Sequence, residues 1–168
     1  NGVKGIIIDL RNNDGISFDA ATNLLTAVLP KDSVVAVTIA PNGDETIFDR
    51  ASGERAPTVP VCVLTNAKTA GPAELFAAAL KDDLGASIVG TTTMGSGSLL
   101  ETYALSDGTA IVLPTAKLKA SSTVIEGGVK PDFEVVMEND SDSYLASLDD
   151  TTDSCIKKAV EILTSKTE

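Results

Sequence analysis

Three short apolar runs, each ending in a polar or glycine-rich loop, constrain the fold of this chain more than any other feature. The runs cover residues 5–10, 59–64 and 86–89, and the loops that follow them cover 11–16, 65–71 and 91–98. A continuous apolar run of this length is typical of a strand that is buried on both faces. Because loops at the ends of buried strands collect ligand sites in α/β folds, these three loops are the first candidates for function.

Helical periodicity separates these strands and returns near the C-terminus. Ser17 or Asp19 can cap the first predicted helix, and Pro72 opens the second, since its missing N–H has no partner at a first helical position. The helices are predicted to end near residue 29, to cover 72–80 and to cover 153–165. Two hairpins are predicted from turn signals, with strands at 34–39 and 46–48 and at 101–105 and 109–113. This alternation predicts a single α/β domain over 1–168, with a mixed sheet and flanking helices.

The charge balance and the absence of histidine exclude several functions. The chain carries 13 Lys and Arg against 24 Asp and Glu, a formal net charge of −11, which repels phosphate backbones and anionic bilayers. Nucleic acid is therefore not an expected partner, and no apolar run is long enough for a transmembrane segment. Without histidine the chain can build neither a Ser-His-Asp triad nor a His-ligated metal site, and no metal or other cofactor is expected.

The two cysteines leave two interpretations open. Cys62 lies in a predicted strand and Cys155 in a predicted helix, and the sequence does not determine the distance between them. Two buried thiols are favoured over one disulfide, because cysteine often serves as a small core residue.

The middle loop precedes a helix N-terminus, whose free N–H groups favour a carboxylate or a developing oxyanion. A nucleophile would belong at Gly71, and none is there. The simpler interpretation is that Thr69 caps the helix and Gly71 makes the turn. Glu74 and Asp82 lie about two turns apart on the same helix, so a pair of catalytic carboxylates is geometrically possible, but a solvated helix face explains both residues more simply.

The third loop offers hydroxyl groups without an obvious base. It lacks the lysine and the spacing of a phosphate-binding loop, so a nucleotide site is not expected. Ser96 or Ser98 could act as a nucleophile only with a neighbouring base. Lys68 or Lys81 could supply that base only if burial lowered its pKa by several units.

Four segments carry a resemblance that spacing alone does not. They are Asp-Leu-Arg-Asn-Asn-Asp-Gly at 9–15, Leu-Thr-Asn at 64–66 leading into the helix 73–82, Val-Gly-Thr-Thr-Thr-Met-Gly at 89–95, and Gly-Val-Lys-Pro-Asp at 128–132. In this order they resemble the signatures of the tail-specific, or C-terminal processing, serine peptidases, which show D-L-R-x-N-x-G-G, S-A-S-A-S-E, G-x-x-T-F-G-K-G-x-x-Q and G-I-x-P-D. The resemblance covers nearly the whole chain and implies a crotonase-like α/β core.

The resemblance places the family's catalytic serine at a glycine. When the motifs are aligned on Glu74, the serine nucleophile falls at Gly71, and the serines that flank it fall at Thr69 and Ala73. Glycine has no side chain with which to attack a peptide carbonyl.

The general base is replaced as well. When the motifs are aligned on Gly90 and Gly95, the family's lysine falls at Ser96. The glutamine that orients this lysine falls at Leu100, or at Glu101 if one residue has been inserted. A serine hydroxyl keeps its proton far above physiological pH, so Ser96 cannot replace the lysine unaided.

The first loop departs from the family pattern too. Asp14 stands where a proline is usual and Ile16 where the second glycine is usual, which puts the backbone oxyanion donor of this loop in doubt. The oxyanion or peptide-binding positions implied by the resemblance are Asp14, Gly15, Thr69, Ala70 and Pro72.

The sequence therefore predicts a catalytically inactive relative of these peptidases that binds a peptide, a protein C-terminal segment or another ligand. One alternative is an active serine endopeptidase with a displaced nucleophile such as Ser98, and another is a binder of a small lipid-like or retinoid-like molecule. The resemblance further implies a location outside the cytoplasm and a PDZ domain or helical region that precedes this domain.

Overall fold

A computed structural model describes residues 2–15 and 17–166. The strands and helices of these residues, in chain order, are β1 Ile6–Asp9, α1 Phe18–Val28, β2 Val34–Ile39, β3 Glu45–Arg50, β4 Val61–Thr65, α2 Pro72–Leu84, β5 Ser87–Gly90, β6 Ser98–Ala104, β7 Ala110–Lys119, β8 Phe133–Glu134, α3 Asp142–Leu145 and α4 Ser154–Ser165. The α/β class is confirmed.

The parallel and antiparallel strand pairs of this mixed fold lie in two different sheets. One sheet has the order β1-β4-β5-β8 with parallel pairing throughout, and the other has the order β3-β2-β7-β6 with antiparallel pairing. Parallel neighbours require long crossovers, which α1 with the β2–β3 hairpin and then α2 provide. Antiparallel neighbours need only the tight turns of the two predicted hairpins.

The central strand β4 has both faces in the core, as its unbroken apolar run predicts. Val61 and Val63 pack in the cluster that includes α1 and α2, whereas Cys62 and Leu64 pack in the cluster that includes α4. The parallel sheet therefore lies between two helical layers. Its strand ends hold the loops that form the site.

The helix boundaries follow from local capping. The hydroxyl of Ser17, not Asp19, accepts the hydrogen bond that caps α1, and α1 ends one residue before its C-cap, Leu29. Helix α2 continues beyond the predicted end at Leu80 and closes at Gly85, whose φ of 63° suits glycine.

The second hairpin extends further than its turn signal indicates. Strand β7 runs through Pro114 to Lys119, and its last residues pair with β2. A proline inside a run argues against a central strand, so the sequence favours a shorter one. The two-residue β8 and the four-residue α3 were not predicted, because elements this short have no detectable periodicity.

Both cysteines are free thiols and both are buried, which confirms the favoured interpretation. Burial raises the pKa of the Cys62 thiol and of the Cys155 thiol. None of the helices in the described part of the chain is long and apolar enough to cross a bilayer.

Candidate functional site

The three predicted loops meet at one edge of the parallel sheet. They leave the carboxyl ends of β1, β4 and β5, which are adjacent in the sheet, so their backbones lie within hydrogen-bonding distance of one another. The Ala70 amide donates to the Asn13 carbonyl at 2.9 Å, and the Met94 amide donates to the Thr69 carbonyl at 2.9 Å. The middle loop is thus bonded to both of its neighbours.

The Thr69 side chain joins the middle loop to the residue after β1, and it does not cap α2. Its buried hydroxyl donates to the Leu10 carbonyl at 2.8 Å and accepts from the Asn66 amide at 3.1 Å. The N-cap of α2 is Gly71. The prediction of a Thr69 cap is therefore wrong, because the hydroxyl finds a partner on the neighbouring strand end instead.

The carboxylate of Glu74 is the centre of the site and is fully buried. Its Oε2 accepts hydrogen bonds from the amides of Gly71 and Ser96, each at 2.8 Å. Its Oε1 accepts from the Gly95 amide at 2.7 Å and from the Thr93 hydroxyl. The expectation that Glu74 lies on a solvated helix face is therefore wrong.

The sequence did contain a signal for this role. Glu74 is the single charged residue in the run 72–80, and a buried carboxylate is costly unless donors surround it. Asp82, further along α2, accepts instead from the amides of Ser122 and Thr123, each at 2.8 Å. The two carboxylates bind different loops, so the structure does not form the paired-carboxylate site.

Gly71 adopts a backbone conformation that is unusual for any residue with a side chain, with φ 54° and ψ −123°. A Cβ built on Gly71 would meet nothing nearer than the Asp14 carbonyl oxygen at 3.5 Å and the Ser96 carbonyl oxygen at 3.9 Å. The structure therefore brings the predicted nucleophile and base positions together, and a Cβ would fit at Gly71 without a clash.

The predicted base position carries no replacement base. The Ser96 side chain is exposed, and its amide is bound to Glu74. Leu100, the predicted position of the orienting glutamine, lies on β6 with 61% of its surface exposed. Glu101, the alternative position, accepts a hydrogen bond from the Tyr103 hydroxyl at 2.7 Å. Neither residue has a polar contact with Ser96 among the described residues.

The first loop is held tightly against the start of α2. A Cβ on Gly15, whose φ is 62°, would lie 2.4 Å from the Ala73 nitrogen, so only glycine fits there. The Gly15 amide donates to Asn13 Oδ1 at 2.8 Å, while Asp14 contributes its carbonyl oxygen to the space beside Gly71. Ile16, the other predicted departure in this loop, lies outside the described residues.

Three backbone positions near the start of α2, all within the described residues, offer no free N–H to an oxyanion. In the nucleophile elbow of α/β-hydrolases, the residue after the nucleophile donates its N–H to the oxyanion. Here that residue is Pro72, which has no N–H. The Gly71 amide is held by Glu74, and the Gly15 amide by Asn13. Pro72 therefore cannot serve as the oxyanion donor that its predicted position requires.

The two lysines considered as displaced bases are paired with carboxylates. Lys68 Nζ lies 3.0 Å from Asp140 Oδ1, and Lys81 Nζ lies 2.7 Å from Asp132 Oδ1. A lysine base must be neutral and desolvated, whereas the Lys68 side chain is 52% exposed and that of Lys81 is 31% exposed. Neither has the environment that activation of Ser98 requires.

Behind the loops, a buried cation joins the first strand to the last helix. The Arg11 guanidinium lies 2.6 Å from Asp9 Oδ2 and 2.8 Å from Asp153 Oδ2, and Asp153 also caps α4. Burial by itself lowers the pKa of Arg11, but hydrogen bonds and attraction from both carboxylates outweigh burial and raise it. The single guanidinium thus joins the end of β1 to the start of α4 through two carboxylates.

An apolar cleft of about 600 Å³ opens beside the site. It begins at Pro72 and extends between α1, α2 and the edge strand β1, with Ile6, Ile8 and Phe76 among its lining residues. Arg55 is the charged residue of the lining. The cleft has an apolar floor and an open side, so it can accept an aliphatic side chain or a small apolar ligand.

The fold and the three loops define an α/β domain in which the loops of three adjacent parallel strands meet around a buried carboxylate. The chain belongs to peptidase family S41, whose model matches residues 1–135. This match confirms the family indicated by the four motifs.

Curated relatives agree with this assignment. A carboxyl-terminal-processing protease of Synechocystis sp. is 36% identical over 137 residues, which cover 80% of this chain. The chloroplastic carboxyl-terminal-processing peptidase 2 of Arabidopsis thaliana is 31% identical over 160 residues, which cover 92% of this chain. The chain spans 31% of the length of each of these relatives.

A solved structure confirms the fold class. The photosystem II D1 C-terminal processing protease matches with a TM-score of 0.73 and 31% sequence identity, and the match covers 82% of this chain and 36% of that chain.

Proposed function

We propose that this chain is a non-catalytic S41 domain that binds polypeptide, as one domain of a longer protein. The observation that carries the proposal is the pairing of Gly71 with Ser96. The two positions that the family motifs assign to nucleophile and base lie side by side, a Cβ would fit at Gly71 without a clash, and no nucleophile or base is present at either position.

Physical chemistry explains why hydrolysis is not expected. A Ser-Lys dyad needs a hydroxyl to attack and a neutral amine to accept its proton. Glycine supplies no oxygen, and the serine hydroxyl at 96 is no base at neutral pH. Because Pro72 supplies no N–H, even the residual stabilisation of about 10³-fold that an oxyanion hole gives in serine proteases would be reduced.

Peptide binding is favoured over the two alternatives by the shape of the site. The apolar cleft beside the site can accept side chains of an extended peptide, and the edge strands of the two sheets offer backbone groups to it. A small lipid-like ligand remains the second candidate, because the lining of the cleft is mostly apolar. An active enzyme using Ser98 is disfavoured by the paired states of Lys68 and Lys81.

The test combines a chemical probe with a binding measurement. The purified chain is incubated with a fluorophosphonate probe and with a reduced, carboxymethylated polypeptide, and binding of a fluorescent unfolded peptide is followed by anisotropy. We expect no labelled serine, no cleavage and saturable peptide binding. Labelling of Ser98 or another serine would contradict inactivity, and binding of a fluorescent fatty acid without any peptide binding would favour the second candidate.

The proposal extends to the binding partner of this chain and to its location in the cell. The resemblance to C-terminal processing peptidases supports a peptide or protein C-terminal segment as the partner and a location outside the cytoplasm. With a net charge of −11, the chain disfavours acidic segments as ligands.

A further inference from the structure

The β6–β7 hairpin exposes large apolar side chains on both of its faces. Directly opposed residues of an antiparallel pair share a face, so the register Thr102↔Val112 and Tyr103↔Ile111 assigns Val112 to one face and Tyr103 with Ile111 to the other. Val112 is 55% exposed, Tyr103 44% and Ile111 43%. Exposed apolar surface on both sides of a two-stranded ribbon is typical of an interaction site.

Strand β6 is also the last strand of its sheet among the described residues. The Leu105 amide donates to the Thr109 carbonyl at 2.8 Å, which sets the alternation of inward and outward backbone groups along β6. The backbone groups of Glu101 and Tyr103 therefore point to β7, and those of Leu100, Thr102 and Ala104 point to the open edge.

Two features of β6 can hinder pairing with another chain, an irregular register with β7 between Leu99 and Leu100 and the charge of Glu101. Residues 98–104 contain neither proline nor lysine, the residues that commonly block an exposed edge. The charges over 98–116 are Glu101 and Asp107, both negative. A neutral or basic segment fits this strip better than an acidic one, and better than a second copy of this chain with its net charge of −11.

The edge is continuous with the candidate site. Strand β6 begins at Ser98, two residues after Ser96, whose carbonyl oxygen lies 3.9 Å from the Cβ position of Gly71. The N-terminal end of β6 is therefore two residues from a direct neighbour of Gly71.

We propose that β6 is the docking strand of this domain, and that it binds an extended, apolar, neutral or basic polypeptide segment by adding it as a fifth strand to the antiparallel sheet. This inference rests on the proposed peptide-binding function and names where and how the peptide binds. Main-chain hydrogen bonds from alternate β6 residues hold the segment, and its side chains cover the two apolar faces of the hairpin.

The first test is hydrogen exchange measured by NMR, with the capped peptide Lys-Thr-Val-Thr-Val-Thr-Val-Lys as the probe. At saturating peptide, we expect hydrogen exchange at the amides of Leu100, Thr102 and Ala104 to slow by at least about tenfold. The amides of Glu101 and Tyr103 are already bonded to β7, so their exchange rates should change little. The same peptide with Glu in place of Lys is expected to bind more weakly. Protection confined to the β1 edge at Ile7 and Asp9 would overturn the inference but leave peptide binding intact.

The second test is Thr102→Pro, which removes one outward N–H without removing a hydrogen bond to β7. We expect its affinity for the peptide to fall about tenfold or more. The matched control is Ile47→Pro on β3, the opposite edge of the same sheet, which should bind normally. Equal affinity in both variants would overturn the inference, and the exchange experiment decides the matter if Thr102→Pro does not fold.

Two further outcomes separate this inference from the proposed function. If the wild-type chain binds no unfolded peptide at all, the proposed function fails and the inference fails with it. If sedimentation shows a dimer whose dissociation exposes the amides of Leu100 and Thr102, β6 pairs with a second copy and the inference is wrong.

Discussion

Glu74 and Gly71 lie in the same turn at the start of α2, and they differ in the contacts that they make. Glu74 is fully buried, with hydrogen bonds from Gly71, Thr93, Gly95 and Ser96. Gly71 has an unusual backbone conformation and no side chain, and a Cβ there would make ordinary contacts with the carbonyl oxygens of Asp14 and Ser96. The geometry of the site is thus held by groups that take no part in bond making.

The largest effect is expected from substitution of Glu74, whose carboxylate binds the loops of the site. Glu74→Ala leaves buried donors without an acceptor, so the free energy of unfolding should fall by about 3–5 kcal/mol in urea denaturation. Glu74→Gln keeps the volume but presents an amide N–H₂ to these donors, and it should cost nearly as much. The exposed Glu54→Ala is the control and should change stability by less than about 0.5 kcal/mol. A loss below about 1 kcal/mol for Glu74→Ala would mean that Glu74 does not hold the loops.

The second prediction concerns the reacting positions. In the background Gly71→Ser with Ser96→Lys, adding Pro72→Ala restores the N–H that follows the nucleophile. We expect kcat for an unfolded fluorogenic polypeptide to rise about 10²- to 10³-fold over the double variant. Adding Pro41→Ala instead, in the exposed turn after β2, should leave the double variant's rate unchanged. A triple variant no faster than the double would show that Pro72 is not the obstacle.

A third comparison sets Gly71 against Gly15, which both have positive φ. Gly71→Ala meets no neighbour closer than 3.5 Å, so its cost should be the backbone strain alone, about 1–3 kcal/mol in the free energy of unfolding. Gly15→Ala would place its Cβ 2.4 Å from the Ala73 nitrogen and should cost more. Urea denaturation of both variants checks the order, and a reversed order would contradict the described packing of the first loop.

The smallest effect is expected at Asp83, near the far end of α2. One carboxylate oxygen is buried without a hydrogen-bond partner, and burial raises the pKa of Asp83 above its ordinary 3.8, although a hydrogen bond from Ser121 opposes this. The native state therefore holds this proton more tightly than the unfolded state, and the group costs stability as pH rises through 3.8. Asp83→Asn should stabilise the protein more at about pH 7 than at about pH 3 in thermal denaturation.

Asp107→Asn is the control of opposite sign for this experiment. The Thr109 hydroxyl lowers the pKa of the exposed Asp107, so that carboxylate contributes stability above its ordinary pKa and loses it as pH falls. Asp107→Asn should therefore destabilise slightly at neutral pH and have no effect in acid. The same pH trend in both variants would contradict the assignment at Asp83.

The elements with strong local signals were predictable. The apolar run that ends at Leu64 has no polar residue to face solvent, so it had to be a strand covered on both sides. Pro72 begins its helix where predicted, and the turn at 41–44 joins β2 to β3 as predicted. Asp14, Gly71 and Ser96 come together because their loops leave adjacent strands, and the order of those strands follows from the crossovers.

The partners of single side chains were not predictable in this way. Thr69 was expected to cap α2, and Glu74 was expected to face solvent, because local patterns describe only neighbours in sequence. Their actual partners, Leu10, Thr93 and Gly95, lie on other strand ends. The exposure of Leu100 and Val112 likewise depends on how far the hairpin extends beyond β2, which no turn signal specifies.

By itself, the amino-acid sequence determined which chemical groups each position can supply, since the presence of a hydroxyl, an amine or an N–H at a position is a property of the residue. It also determined the elements whose hydrophobic period is unambiguous. Only the tertiary structure decided that Gly71 and Ser96 lie side by side, that the Glu74 carboxylate binds both of their amides and that β6 is an edge strand of its sheet among the described residues. These features arise from contacts between residues far apart in the chain, and such contacts exist only once the sheet and its helices have packed.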